Sequence, residues 1–135
     1  MALYFHPNPE TLLICDFGTG FRPPEMVKKR PVVVLSPRMR RQSGLCTVVP
    51  LSTTVPAPVE RFHHRMSPQS LPATLATKET WAKCDMVTAV SLERLDRVLI
   101  GRDRRGRRVY VAGAVTAADL TAIRQCVKIA LGLTD

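Results

Sequence analysis

Pro31-Val32-Val33-Val34-Leu35 and Leu45-Cys46-Thr47-Val48-Val49-Pro50-Leu51 are two short, β-branched, nearly uninterrupted apolar runs. The first is β-branched and short and reads as a buried strand, and the second reads as a further strand. Ser36-Pro37 stops the first run, and the basic loop Arg38-Met39-Arg40-Arg41-Gln42-Ser43-Gly44 joins it to the second. Upstream, Thr11 to Phe17 (TLLICDF) is a third run of strand length. The Gly18 to Pro24 segment after it holds two glycines and two prolines and reads as an exposed loop. Three such strands in succession predict an antiparallel core.

Working outward, Pro56 to Thr77 carries four prolines and little periodicity, so it reads as loop or edge structure with one short strand around Val59 to His63. Thr80 to Val90 (TWAKCDMVTAV) predicts a further strand. Asp96 to Gly101 and Arg107 to Ala112 flank the turn-prone Arg102-Asp103-Arg104-Arg105-Gly106, which predicts a hairpin with a basic tip. Thr116-Ala117-Ala118-Asp119 is a helix start, and Leu120, Ile123, Val127 and Leu131 follow at helical spacing. The expected fold is mainly β with a C-terminal α-helix: a small, strongly bent sheet or barrel. One domain over residues 1–135 is expected, with the basic hairpin near 101–108 and the helix from about 117.

The chain has 20 Lys+Arg against 11 Asp+Glu, a formal charge of +9, which draws polyanions and makes nucleic acid the first partner to consider. No apolar stretch reaches the roughly 18 residues of a membrane span, and the polar, proline-containing start does not read as a signal peptide. A cytoplasmic protein is expected. Cys15, Cys46, Cys84 and Cys126 are widely spaced among apolar neighbours, without CxxC or Cys/His clustering, and read as buried free thiols rather than a zinc site.

Lys28-Lys29-Arg30-Pro31-Val32-Val33-Val34-Leu35-Ser36-Pro37, continued by Gly44 to Thr54 (GLCTVVPLSTT), resembles the RPxVVLSP block and following VxPxTT strand of the MazF/PemK toxin family. Cys15-Asp16-Phe17 is similar to that family's VDF-like triplet, and Lys83-Cys84-Asp85 to its later basic-x-Asp strand, with Lys where the family has Arg. The likeness covers about residues 10–90; beyond it the hairpin is longer than the usual linker. The resemblance implies a CcdB/MazF-like, SH3-like small barrel of curled strands and a homodimer. It further implies a sequence-specific endoribonuclease that needs no metal or cofactor, cuts single-stranded RNA to leave a 2′,3′-cyclic phosphate, and is inhibited by an acidic antitoxin.

Residue by residue, the resemblance puts Arg30, Ser52, Glu25 and Asp85 in the catalytic set. Metal-free cleavage of RNA requires the ribose 2′-OH to attack its own phosphate, so one group must accept a proton, another must donate one, and cations must hold the developing charge. Arg30 suits the phosphate, Ser52 a non-bridging oxygen, and Glu25 or Asp85 the 2′ proton, the choice between the two acids staying open. Lys83 or a histidine suits the leaving oxygen. Lys28, Lys29, Arg38, Arg40, Arg41, Thr53, His64 and Lys83 are candidate RNA contacts. His63 and His64 are adjacent on an extended segment and point to opposite sides, so at most one serves a given site. Trp81 reads first as core packing and second as a base-stacking platform. Competing readings are a gyrase poison of the CcdB type and an inactive nucleic-acid-binding module, the latter suggested by Lys83 and the long basic hairpin.

Overall fold

A computed structural model describes residue 3, residues 5–38 and residues 44–134 of the chain. Three antiparallel strands form its centre: β1 (Thr11–Asp16), β2 (Lys29–Val34) and β3 (Leu45–Ser52). Leu12 pairs with Val33 and Ile14 with Pro31, while Val32 pairs with Pro50 and Val34 with Val48. The apolar runs are unbroken because both sheet faces are covered. Leu12, Val33, Val49 and Leu51 enter one cluster, and Leu13, Cys15, Val32, Val34 and Val48 enter the other. All nine are fully buried.

The strand expected over Thr80 to Val90 is broken in two. β5 (Trp81–Lys83) pairs with the end of β3, a 3-10 turn follows at Cys84–Met86, and β6 (Thr88–Ser91) pairs with the start of β3. As the sheet curls, its partner must turn a corner, and the turn puts Cys84 inside and Asp85 outside. Pro50, which has no N–H to give, lies in the part of β3 that neither β5 nor β6 pairs. β4 forms at His63–Arg65 rather than around Val59 to His63, because β5 offers ladder partners there, while Val59 stands 52% exposed.

β7 (Leu95–Asp96) and β10 (Gly113–Ala114) each pair with β1. Between them β8 (Val98–Arg102) and β9 (Arg108–Val111) make a separate two-stranded ribbon with residues 103–107 at its tip. Asp96, expected in this hairpin, joins β1 instead. Helix α1 (Ala117–Ala130) closes the fold, with Thr116 as its cap: the Asp119 backbone N–H donates to the Thr116 hydroxyl at 3.1 Å. Leu120, Ile123 and Cys126 seat the helix on the first cluster. Leu131, expected on this stripe, is 57% exposed because the helix stops at Ala130. The architecture is mainly β, a curled antiparallel sheet with one C-terminal helix.

All four cysteines are free and buried. Burial pushes the Cys15 thiol up to about 12, and raises Cys46, Cys84 and Cys126 as well. Among the described residues no helix is long and apolar enough to cross a membrane.

Candidate active site

Arg30 enters β2 as the chain leaves the loop after β1. The β2–β3 ladder ends at the Val32–Pro50 rung, and Arg30 and Ser52 lie two residues beyond it on their respective strands, where they line one cavity. Ser52 then pairs with Trp81, and Trp81 with Arg65. Paired residues share a sheet face, so Ser52, Trp81 and Arg65 form a row across β3, β5 and β4. The Arg30–Ser52 cavity, lined also by Thr53, is small, about 60 Å³, and is walled by Leu51, Leu71 and Leu75.

The Arg30 side chain is held by a single bond, Nε–H donating to the Val27 carbonyl at 3.3 Å. Its two terminal nitrogens have no partner among the described residues, leaving the fork that fits a phosphate or carboxylate edge. Ser52 Oγ accepts the Thr54 backbone N–H at 3.1 Å, a local turn contact that leaves its own proton for a further acceptor. The hydroxyl therefore serves the backbone and faces the cavity as well.

Glu25 and Asp85 come together elsewhere, lining a groove of about 490 Å³ with Phe17, Phe21, Met26 and Met86. This groove and the Arg30 cavity have no lining residue in common. The Val27 carbonyl that holds Arg30 belongs to the same loop as Glu25, so the two sites are tied through the backbone. That loop is braced from below. Phe17 N–H donates to the Lys28 carbonyl at 2.9 Å, the Phe17 and Phe21 rings meet edge to face at 5.0 Å, and the Arg94 guanidinium lies 4.9 Å over Phe21. Arg94 also donates to the Asp16 carbonyl at 2.9 Å. Neither Phe21 nor Arg94 was singled out by sequence; the Gly/Pro-rich composition of the loop hid its aromatic anchor. Lys28 turns the chain into β2 with φ 69°, a backbone conformation uncommon outside glycine.

The two histidines separate as their alternation requires. His63 pairs with Lys83 and brings Nε2 to 3.9 Å from Asp85 Oδ1, while its Nδ1 accepts the Glu60 N–H at 2.9 Å. His64 turns the other way, its Nε2 2.8 Å from Asp119 Oδ1. Asp119, only 4% exposed, also accepts from Ser67 N–H at 3.0 Å and from the Ser70 hydroxyl. Burial pushes the Asp119 carboxyl up, but the hydrogen bonds from Ser70, His64 and Ser67 outweigh it and hold the group below the ordinary carboxylate range. His64 is thus engaged with the helix start rather than beside Asp85. Lys29 is exposed, but its odd position in β2 directs it to the face opposite Arg30. Arg38 is exposed past the far end of β2, eight residues and so roughly 26 Å of extended chain from Arg30. Arg40 and Arg41 lie outside the described residues.

Trp81 corrects an expectation: it belongs to neither core cluster. It is half-buried, and its indole N–H donates to Glu79 Oε1 at 2.8 Å. Among the described residues, no group of three His, Cys, Asp or Glu side chains is placed to share a metal ion.

A curled antiparallel sheet with one C-terminal helix, carrying a cavity lined by Arg30 and Ser52 and a separate groove lined by Glu25 and Asp85, places the chain in the class of small, mainly β curled-sheet folds. The chain belongs to the family of PemK-like, MazF-like toxins of type II toxin-antitoxin systems, whose pattern matches residues 10–131. It is 34% identical over 116 residues to the uncharacterized protein YifN of Escherichia coli (strain K12), covering 72% of this chain and 76% of that one. An uncharacterized protein of Haemophilus influenzae is 34% identical over 101 residues, covering 66% of this chain and 68% of its own length. Among solved structures, MazF from Deinococcus radiodurans superposes with a TM-score of 0.63 at 22% identity, covering 95% of this chain and 98% of that one. An endoribonuclease in complex with its cognate antitoxin from a mycobacterial species gives a TM-score of 0.64 at 21% identity over 96% and 98% of the two chains.

Proposed function

We propose that this chain is the toxin of a type II toxin-antitoxin pair, a metal-independent endoribonuclease that cuts single-stranded RNA in the cytoplasm. The observation that supports the reading is that Arg30 and Ser52, from the ends of β2 and β3, line one cavity in a chain whose residues 10–131 match the toxin family. The Arg30 fork grips the scissile phosphate, and Ser52 donates to a non-bridging oxygen. Glu25 or Asp85, joined in the adjoining groove, takes the 2′-OH proton as that oxygen attacks phosphorus. The 5′-oxygen leaves with a proton supplied by Lys83 or by His63, its cross-strand partner, and a 2′,3′-cyclic phosphate remains. Thr53 and Lys28 extend the contact to flanking phosphates.

The +9 charge suits both an RNA substrate and an acidic antitoxin whose unstructured segment folds onto the basic surface and blocks it. The active form is a homodimer. Purified protein with EDTA is expected to cut a long single-stranded RNA at a few short sequence contexts, with products ending in a cyclic phosphate. RNA left intact by the wild-type protein would overturn the reading. Supercoiling inhibition without RNA cleavage would replace it with a gyrase poison, and salt-dependent RNA binding without products with an inactive binder.

A further inference from the structure

The β8–β9 hairpin has no part in the chemistry above. Its tip carries Arg102, Arg104, Arg105, Arg107 and Arg108 against one acid, Asp103, and all seven residues from 102 to 108 are exposed. Asp103 is occupied in holding the turn: its Oδ1 accepts the backbone N–H groups of Arg105 at 2.8 Å and Arg107 at 2.9 Å. Arg102 donates to the Gly106 carbonyl at 2.7 Å, and Gly106 completes the turn at φ 78°. The fold of the tip is therefore fixed while the guanidinium groups of Arg104, Arg105, Arg107 and Arg108 have no partner among the described residues. Arg102 also pairs across the ribbon with Arg108. Like charges at opposed positions destabilise a strand pair, so the ribbon is built against its own stability in a way that an anionic ligand would relieve.

We infer that the hairpin is a second RNA-binding site, an arginine arm that grips the phosphate backbone of the substrate outside the segment being cut. RNA fits better than an acidic protein because residues 102–108 include no apolar side chain to anchor a peptide, whereas a polyanion needs only its phosphates neutralised. At the base of the arm, Leu99, Tyr110 and Lys29 line a groove of about 460 Å³ together with the acids Asp16, Glu93 and Asp96, distinct in every lining residue from the Arg30 cavity. Three carboxylates at the base oppose a phosphate there, so the contact belongs to the arginine tip rather than to the groove. The arm sets how tightly long RNA is held without altering the bond-breaking step.

The inference rests on RNA being the substrate, and its test is arranged to be independent of cleavage. In an Arg30→Ala background, which keeps the RNA intact, binding of a labelled single-stranded RNA of about 30 nucleotides is titrated between 50 and 200 mM salt. Replacing Arg104, Arg105 and Arg107 by alanine should flatten the slope of log affinity against log salt by about 2, at roughly 0.7 per lost single-strand phosphate contact. Replacing the same three by lysine should keep the slope. If the alanine triple does not fold, the Arg104→Gln/Arg105→Gln pair should flatten the slope by about 1.4 on the same scale. An unchanged slope and affinity would overturn the arm. So would loss of binding to polyglutamate with RNA affinity intact, which would reassign the hairpin to an acidic protein. Absence of cleavage by the wild-type protein would sink the nuclease reading and leave this measurement standing.

Discussion

Arg30 and Asp119 are both charged side chains set among hydroxyls at strand or helix ends, and their surroundings differ in one respect. Asp119 has three donors within the chain, from His64, Ser67 and Ser70, and is nearly sealed from solvent. Arg30 has one, a backbone carbonyl, and its fork opens on a cavity beside Ser52. A buried charge that the fold fully satisfies is a structural device. A half-buried charge left short of partners marks a place where something else is meant to bind.

The largest effect that this contrast predicts is on activity. Arg30→Ala should lower the rate of RNA cleavage by about 10² to 10³, the range for removing one transition-state donor, while costing only about 1 kcal/mol of stability for its single bond. Cleavage assays with denaturant melts on the same preparations separate the two quantities. A loss of stability matching the loss of rate would erase the distinction between the two regions.

Asp119→Ala should do the reverse. It strands the buried Ser70 hydroxyl and the half-buried His64 and Ser67 donors, and should cost about 3 kcal/mol, a fall in melting temperature of roughly 10 °C for a domain of this size. The rate per folded molecule should be unchanged. The pH dependence follows from the same carboxylate. Its folded pKa lies below the ordinary 3.8, so the contribution is fully present above 3.8 and is lost as pH falls through the lower folded value. Asp119→Asn should therefore show a flatter stability profile below pH 4 than the wild type, as measured by denaturation midpoints across that range. Equal acid-side slopes would mean that the carboxylate is not what ties α1 to β4.

The sequence carried some of this and could not carry the rest. The three central strands and the start of α1 were legible because burial on both faces demands continuous apolar runs, and a helix cap demands a hydroxyl at Thr116. The corner at Cys84–Met86 was not, since an alternating run reads the same whether the strand continues or bends around a curling neighbour. Trp81 looked like core because large aromatics usually are; its position depends on register, which places it between Ser52 and Arg65. The separation of His63 from His64 followed from alternation, but the partner of His64 lies 55 residues on, at Asp119, beyond any local pattern. The helix-start motif held, but the partner of the Thr116 N–H, the Ser70 hydroxyl at 2.9 Å, lies 46 residues away, again beyond any local pattern.

A smaller effect is expected at the thiols, which extend the contrast to groups with no external partner at all. With Cys15 pushed up to about 12 and all four buried, the native protein should resist iodoacetamide at pH 8, and mass spectrometry should find modification only after unfolding. Rapid labelling of the folded chain would contradict this packing.

The smallest effect concerns the hairpin, where the logic of Arg30 applies to stability in the opposite sense. Arg102 and Arg108 face each other across β8 and β9, so relieving the repulsion should make the ribbon firmer. Arg108→Thr replaces a like charge with a good strand former and should raise stability by about 0.5 kcal/mol at low salt. The gain should shrink as salt screens the pair, which a steric explanation would not predict. Thermal melts at low and high salt decide it. A variant no more stable than the parent at low salt would mean that the paired arginines cost the fold nothing, and that their opposition is no sign of a ligand.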